Sequence, residues 1–268
     1  MFRNISIIGI GNLSQTLLYC IKNKSLKLNI SLYDLNKKKK VFASKKEWSF
    51  STKINKSLSE SDLVILAVKP YQYKDVCAKI NTYANNKAVI VSLMAGITIK
   101  DLKEAFPDKL SIARVMTNIN AKYSNAISSI YIDKRFRKDK IASLKKFFSL
   151  FGSINILKSE SQINKITALV GSGPAYFIYF AESMIKTFQS FGFTKYESEI
   201  LVCELFYGTA KTCITDKRSL NEIKKSVVSK GGTTEAALKK FDKLKTKKIV
   251  MESIREAFIR AEELEKGK

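Results

Sequence analysis

The segment NISIIGIGNLSQTLLYCI, residues 4–21, changes its hydrophobic period partway along. Ile5 to Ile8 form a short β-branched apolar run, which reads as a strand. Gly9, Ile10 and Gly11 make a turn, and Leu13, Leu17, Leu18 and Ile21 then recur at helical spacing. A strand, a glycine turn and a helix opening at Asn12 and Leu13 form the first half of a βαβ unit. Gly9 permits the tight turn. Gly11 lets a phosphate approach the backbone at the helix N-terminus. The third position of this GxGxxG-like pattern is Ser14, small enough for close helix–strand packing. Asp34 closes the next apolar run, NISLYDL, about 20 residues further on, where an acidic side chain meets an adenosine ribose. The pattern points to a dinucleotide. Asp34 favours NADH, whereas Asn36 and Lys37 would neutralise the 2′-phosphate of NADPH, so both cofactors stay open.

Working outward, SDLVILAV is continuously apolar through Val68, as expected of a strand buried on both faces. KAVIVSLMAG, LSIARVM, AISSIYI and GSINILK are further strand candidates, with helical patterns between several of them. Alternating strands and helices imply an α/β fold with a Rossmann-like, doubly wound parallel sheet. After about residue 137 the long segments KDKIASLKKFFSLFG, AYFIYFAESMIKTFQSFG, YESEILVCELFYGTAKTCI and KKIVMESIREAFIRAEELEKGK all read as helices. The expected organisation is a dinucleotide-binding domain over residues 1–157 and an all-helical substrate-binding and dimerisation domain over residues 158–268.

Composition removes several classes of chemistry. The chain has no histidine, which excludes Ser-His-Asp triads, Cys-His pairs and His-ligated metals. Its four cysteines form no CxxC pair, so neither a zinc site nor a disulfide framework is expected, and a reducing, cytoplasmic setting fits. The formal charge of +24 raises the question of nucleic acid. Lysine carries the excess and is spread along the chain, without the arginine and interleaved aromatics of a base-reading surface, so no nucleic-acid partner is expected. The N-terminal apolar run is broken by Gly9, Gly11, Asn12 and Ser14, unlike a signal peptide, and Ile166 to Ala181 is too short to span a bilayer, so no membrane is expected.

A second glycine motif lies far downstream, in VVSKGGTTEAAL, residues 227–238. Adjacent Gly231 and Gly232 just before a helix-like run imply that something approaches the backbone there, at a helix N-terminus suited to an anion.

The whole chain resembles the pyrroline-5-carboxylate reductase family. The carrying segments are IIGIGNLSQTLL, ILAVKPYQ at 65–72, VSLMAGIT at 91–98, ARVMTNINA at 113–121, TALVGSGPAYF at 167–177 and VVSKGGTTEAAL. The resemblance implies hydride transfer from NADPH or NADH to the imine carbon of 1-pyrroline-5-carboxylate, giving L-proline. It also implies a homodimer, joined through interleaved helices, that often assembles further. Carried over residue by residue, Ser229, Gly231, Gly232 and Thr233 hold the substrate carboxylate through backbone N–H groups. Thr234 turns its hydroxyl to the ring nitrogen as the catalytic side chain. Ala67, Lys69 and Pro70 lie beside the cofactor, while Met94, Ala95 and Asn118 border the nicotinamide or the substrate. The chemistry suits a chain without histidine, since an imine is already electrophilic and the enzyme mainly holds two reactants face to face.

The sequence leaves the family pattern at several places. Thr117, Asn120 and Lys230 stand where prolines are usual, Ser226 where an asparagine is frequent, and Val170 where a serine is. Fewer loop prolines mean looser loops. Two other functions share these motifs: reduction of a different cyclic imine, and a cofactor-binding protein with little catalysis. Retention of Ser229, both glycines and Thr234 speaks against the latter.

Overall fold

A computed structural model describes residues 2–24, 26–43, 48–106 and 111–267. Leu110 and Lys268, which the sequence places in a strand and in the last helix, lie outside them. The described strands are β1 (Asn4–Ile8), β2 (Asn29–Tyr33), β3 (Ser49–Ser51), β4 (Leu63–Leu66), β5 (Val89–Ser92), β6 (Ile112–Met116), β7 (Ala126–Ile132) and β8 (Gly152–Ile156). The helices are α1 (Asn12–Lys22), α2 (Tyr73–Tyr83), α3 (Ile99–Ala105), α4 (Lys138–Phe148), α5 (Gln162–Ile166), α6 (Gly173–Ser190), α7 (Lys195–Thr215), α8 (Leu220–Ser226), α9 (Thr233–Lys243) and α10 (Thr246–Glu265).

The strands form one sheet in the order β3-β2-β1-β4-β5-β6-β7-β8. The chain leaves β1 in one direction and returns on its other side with β4, so the topological switch point lies between these two strands. Side chains of β4 alternate between two cores: Leu63 and Ile65 join one, Val64 and Leu66 the other. That alternation explains why the strand is apolar at every position, since both faces are covered.

Two features of the sheet depart from the alternating strand–helix pattern. β3 is only the segment SFS at the edge beside β2. β7 runs antiparallel to β6, a departure from an all-parallel sheet. Only residues 117–125 join them, and a parallel pairing needs a crossover of a dozen or more residues. β8 pairs parallel with β7 after the crossover through α4.

The chain packs as two compact units, Met1–Pro174 with Ala257–Lys268, and Ala175–Glu256. The first holds the sheet and the end of α10. It continues past residue 157 through α5 and a π-helical turn at Thr167–Gly171. The second is helical. Thr194 caps α7 and Ser219 caps α8, and in each case a glutamate three residues on accepts from the capping residue's N–H. Phe180 meets Phe206 edge-on and lies tilted against Phe241, at 6.3 and 6.4 Å between ring centroids.

Candidate functional site

A cleft of about 850 Å³ opens at the carboxyl ends of β1, β2 and β4, at the switch point. Gly9 has a φ of +92°, and a Cβ there would lie 2.7 Å from the Ala67 carbonyl oxygen, so the close approach of β1 to the end of β4 requires glycine. Ser14 is buried and donates its hydroxyl to the Gly9 carbonyl at 2.7 Å, which locks the turn. Gly11 differs. It precedes α1 in extended conformation, and a Cβ there would meet nothing within 4 Å. Any side chain at Gly11 would occupy the cleft itself. No side chain caps α1 and its first turn carries no acid, so the positive end of the helix is available to a pyrophosphate.

Asp34 lies in the cleft wall with both carboxylate oxygens engaged. One accepts from the Ile10 N–H at 2.7 Å and the other from the Asn36 N–H at 2.8 Å. The carboxylate therefore ties the glycine turn to the end of β2 while facing the space a ribose would fill. Gly9, Gly11, Asn36, Ala67 and Lys69 also line this cleft. Asn12 and Leu13 begin α1 behind it, with Leu13 partly packed on the core. Pro70 opens a short 3₁₀ turn after Lys69, where its missing N–H costs nothing. Lys37 is exposed at the start of another 3₁₀ turn and is not in the cleft lining.

The lining also contains residues that sequence reasoning did not single out. Lys39 and Lys53 bring two ammonium groups, with Thr52, Gln72 and Val76 beside them. These come from three separate connections; Gln72 ends the ILAVKPYQ segment, and the others lie in no motif. Cys77, on the buried side of α2, is no nucleophile: burial pushes its thiol up to about 12.

Met94 and Ala95 follow β5 at the same end of the sheet. Met94 is buried and Ala95 half-buried. Asn118 is buried at the exit of β6, where it accepts from the Asn120 N–H and donates to the Val170 carbonyl at 3.0 Å. Thr117, in a usual proline position, is also buried, and its hydroxyl pairs with that of Ser128 at 3.1 Å. The substitution thus replaces ring stiffness with a buried hydrogen bond.

The second motif lies in the helical unit. Gly231 has a φ of +74°, and Gly232 precedes α9 in extended conformation. A Cβ on Gly232 would collide with the Ser229 hydroxyl. Two of the N–H groups expected to face a substrate are engaged within the chain. Gly231 donates to Glu235 Oε2 at 2.8 Å, and Gly232 to the Ser229 carbonyl at 3.0 Å. The Gly231 bond is the main cause holding the Glu235 carboxyl below its usual range, with Lys239 adding to it. Thr233 and Thr234 occupy the first turn of α9, where helix geometry leaves N–H groups without intrahelical partners, and Thr234 is half-buried. Lys230 is exposed.

Residues 160–264 match the family model for pyrroline-5-carboxylate reductase dimerisation, and residues 4–96 that for NADP oxidoreductase, coenzyme F420-dependent. The curated pyrroline-5-carboxylate reductase of Staphylococcus aureus is 31% identical over 237 residues, 86% of each chain. Among solved structures, the Coxiella burnetii pyrroline-5-carboxylate reductase is 27% identical with a TM-score of 0.86, covering 98% of each chain. The Plasmodium falciparum pyrroline carboxylate reductase with NADP bound is 23% identical with a TM-score of 0.89, also over 98% of each chain. No helix among the described residues is long and apolar enough to cross a membrane.

Proposed function

The chain belongs to the pyrroline-5-carboxylate reductase family, and we infer from this that it reduces 1-pyrroline-5-carboxylate to L-proline with NAD(P)H. The observation that carries the reading is the Gly9–Gly11 turn at the switch point, where Gly11 leaves open space before an uncapped helix N-terminus. That cradle fits a dinucleotide pyrophosphate.

When bound, a reduced nicotinamide would supply a hydride to the imine carbon, and the ring nitrogen would carry a proton drawn from solvent. The protein's own part is to bind and orient. Gly9, Gly11, Asn12 and Leu13 hold the pyrophosphate; Asp34, Asn36, Lys39 and Lys53 surround the adenosine ribose; Ala67, Lys69 and Pro70 wall the path toward the nicotinamide. Met94, Ala95 and Asn118 form its far end. In the helical unit, the Ser229 hydroxyl and the first-turn N–H groups of α9 receive the substrate carboxylate. Thr234 hydrogen-bonds the ring nitrogen. No imidazole is needed, because proximity supplies most of the rate.

Residues 1–157 serve the cofactor, and residues 158–268 serve the substrate and a homodimer interface. The match to a dimerisation model supports the second assignment. So does the exposure of Phe177, Tyr179, Tyr207 and Met251 on the helical unit. The four unbridged cysteines suit the reducing cytoplasm.

The test is consumption of NADPH and of NADH by the purified protein with pyrroline-5-carboxylate, run beside a six-membered cyclic imine carboxylate. Faster turnover of the five-membered substrate is expected. Turnover of the six-membered imine alone would move the chain to a different reductase, and no turnover of either would leave a dinucleotide-binding protein.

A further inference from the structure

The loop Leu93–Thr98, between β5 and α3, is hydrogen-bonded at both ends and closely packed at Gly96. Its first residue donates to the Leu66 carbonyl at 2.9 Å, and Met94 donates to the Ser92 hydroxyl at 3.2 Å. Its last residue, Thr98, caps α3 in a reciprocal pair with Asp101. Between them, Gly96 has a φ of +76°, and a Cβ there would lie 2.7 Å from the Leu264 carbonyl oxygen. The last turn of α10 therefore rests on the backbone of this loop, and only glycine admits it.

That turn is itself fastened by an ion cluster centred on a buried arginine. Arg114, on β6, has 2% of its side chain exposed. Its Nη1 lies 2.7 Å from Glu160 and 3.6 Å from Glu265, the final residue of α10. Glu160 Oε1 also accepts from the Ile99 N–H at 2.6 Å, directly after the loop. Glu265 accepts in addition from Asn164 on α5. Nε and Nη2 of Arg114 are buried without a hydrogen-bond partner. The guanidinium charge thus depends on the two glutamates, and one of them ends α10.

We propose that the last turn of α10 positions the Leu93–Thr98 loop as the wall of the nicotinamide site, with Arg114 a positioning residue acting through Glu160 and Glu265. The proposal rests on the reading that Met94 and Ala95 border the nicotinamide. A loop displaced by an ångström misaligns the two reacting carbons without touching the adenosine end of the cleft.

The experiment compares Glu265→Ala, Glu265→Gln and a chain ending at Glu263, each screened for folding by circular dichroism. Measured are kcat at saturating substrates, the emission of bound NADPH, which reports the nicotinamide surroundings, and the affinity for 2′,5′-ADP, which samples the adenosine end alone. Glu265→Ala and the shortened chain are expected to lose roughly tenfold to a hundredfold in kcat, with altered NADPH emission and unchanged 2′,5′-ADP binding. Glu265→Gln, which keeps an acceptor for Asn164, falls between them and wild type. Unchanged kcat and emission in the folded variants would overturn the proposal. So would a parallel loss of 2′,5′-ADP affinity, which would mark the cluster as merely structural. If both shortened and alanine chains fail to fold, Gly96→Ala presses the loop off Leu264 and is read the same way. Ala95→Phe tests the underlying reading separately: wild-type kcat and emission in that variant would remove the loop from the nicotinamide site, whatever the Glu265 variants do.

Discussion

The sheet-bearing unit and the helical unit bury their apolar residues to different degrees. In β4 and β5 every residue is buried, and two cores sandwich the sheet. In α7, a longer element, only Ser198 and Val202 are buried, while Leu201, Leu205 and Tyr207 are exposed. α6 shows the same, with Phe177 and Tyr179 open. The first unit completes its core from its own chain. The second leaves more apolar surface uncovered, as a self-association surface does, in keeping with its match to a dimerisation model. The proposed cofactor cleft thus lies in the unit that covers its own core, and the proposed substrate loop in the unit whose apolar faces stay open.

The sharpest way to break this comparison is Gly11→Val. A Cβ at Gly11 meets open space, so the sheet unit should fold as before. The new side chain fills the pyrophosphate path and should cost about 3 kcal/mol, about a hundredfold in the Kd for NADPH. Fluorescence titration checks it, and wild-type affinity would unseat the cleft as the cofactor site. Next, Leu205→Glu places a charge on the open face of α7. It should weaken self-association by roughly 2–4 kcal/mol, read by sedimentation, while leaving NADPH binding intact. A wild-type chain that sediments as a monomer at micromolar concentration would end the contrast between the two units.

Smaller effects sharpen it. Thr234→Ala removes a hydroxyl from the first turn of α9 and should lower turnover about tenfold, from about 1–1.5 kcal/mol, without changing the NADPH Kd. Wild-type turnover would take Thr234 out of the mechanism. Lys230→Met is smaller still. If the exposed ammonium steers the substrate carboxylate, its loss should raise the substrate KM about two- to threefold and flatten the rise of KM with salt, since such a charge is screened beyond about 8 Å. An unchanged KM and salt slope would make Lys230 an ordinary solvated loop residue.

Much of the sheet unit is legible in the chain itself. The turn at Gly9–Gly11, the small Ser14 and the strand-ending Asp34 are local signals, because a nearby glycine, a β-branched run and a helical period constrain their own few residues. The same holds for the continuous apolar strands. β3 escaped because three residues, two of them serine, carry no periodic signal. The reversal at β7 was hidden because strand candidates state no direction; the shortness of the connection imposes it.

Where distant segments meet, the sequence was silent. Lys39, Thr52 and Lys53 reach one cleft from separate connections, and no motif includes them. The engagement of Gly231 by Glu235 is a local signal, four residues apart at a helix start. Arg114 is the clearest case. An arginine inside an apolar strand reads as exposed by composition, and only the fold reveals it buried between Glu160 and Glu265. Local sequence determined which segments become strand, turn and helix, since backbone sterics and period act over a few residues. Tertiary structure alone decided which charges could leave water, because a buried ion is tolerable only where its partners arrive from elsewhere in the chain.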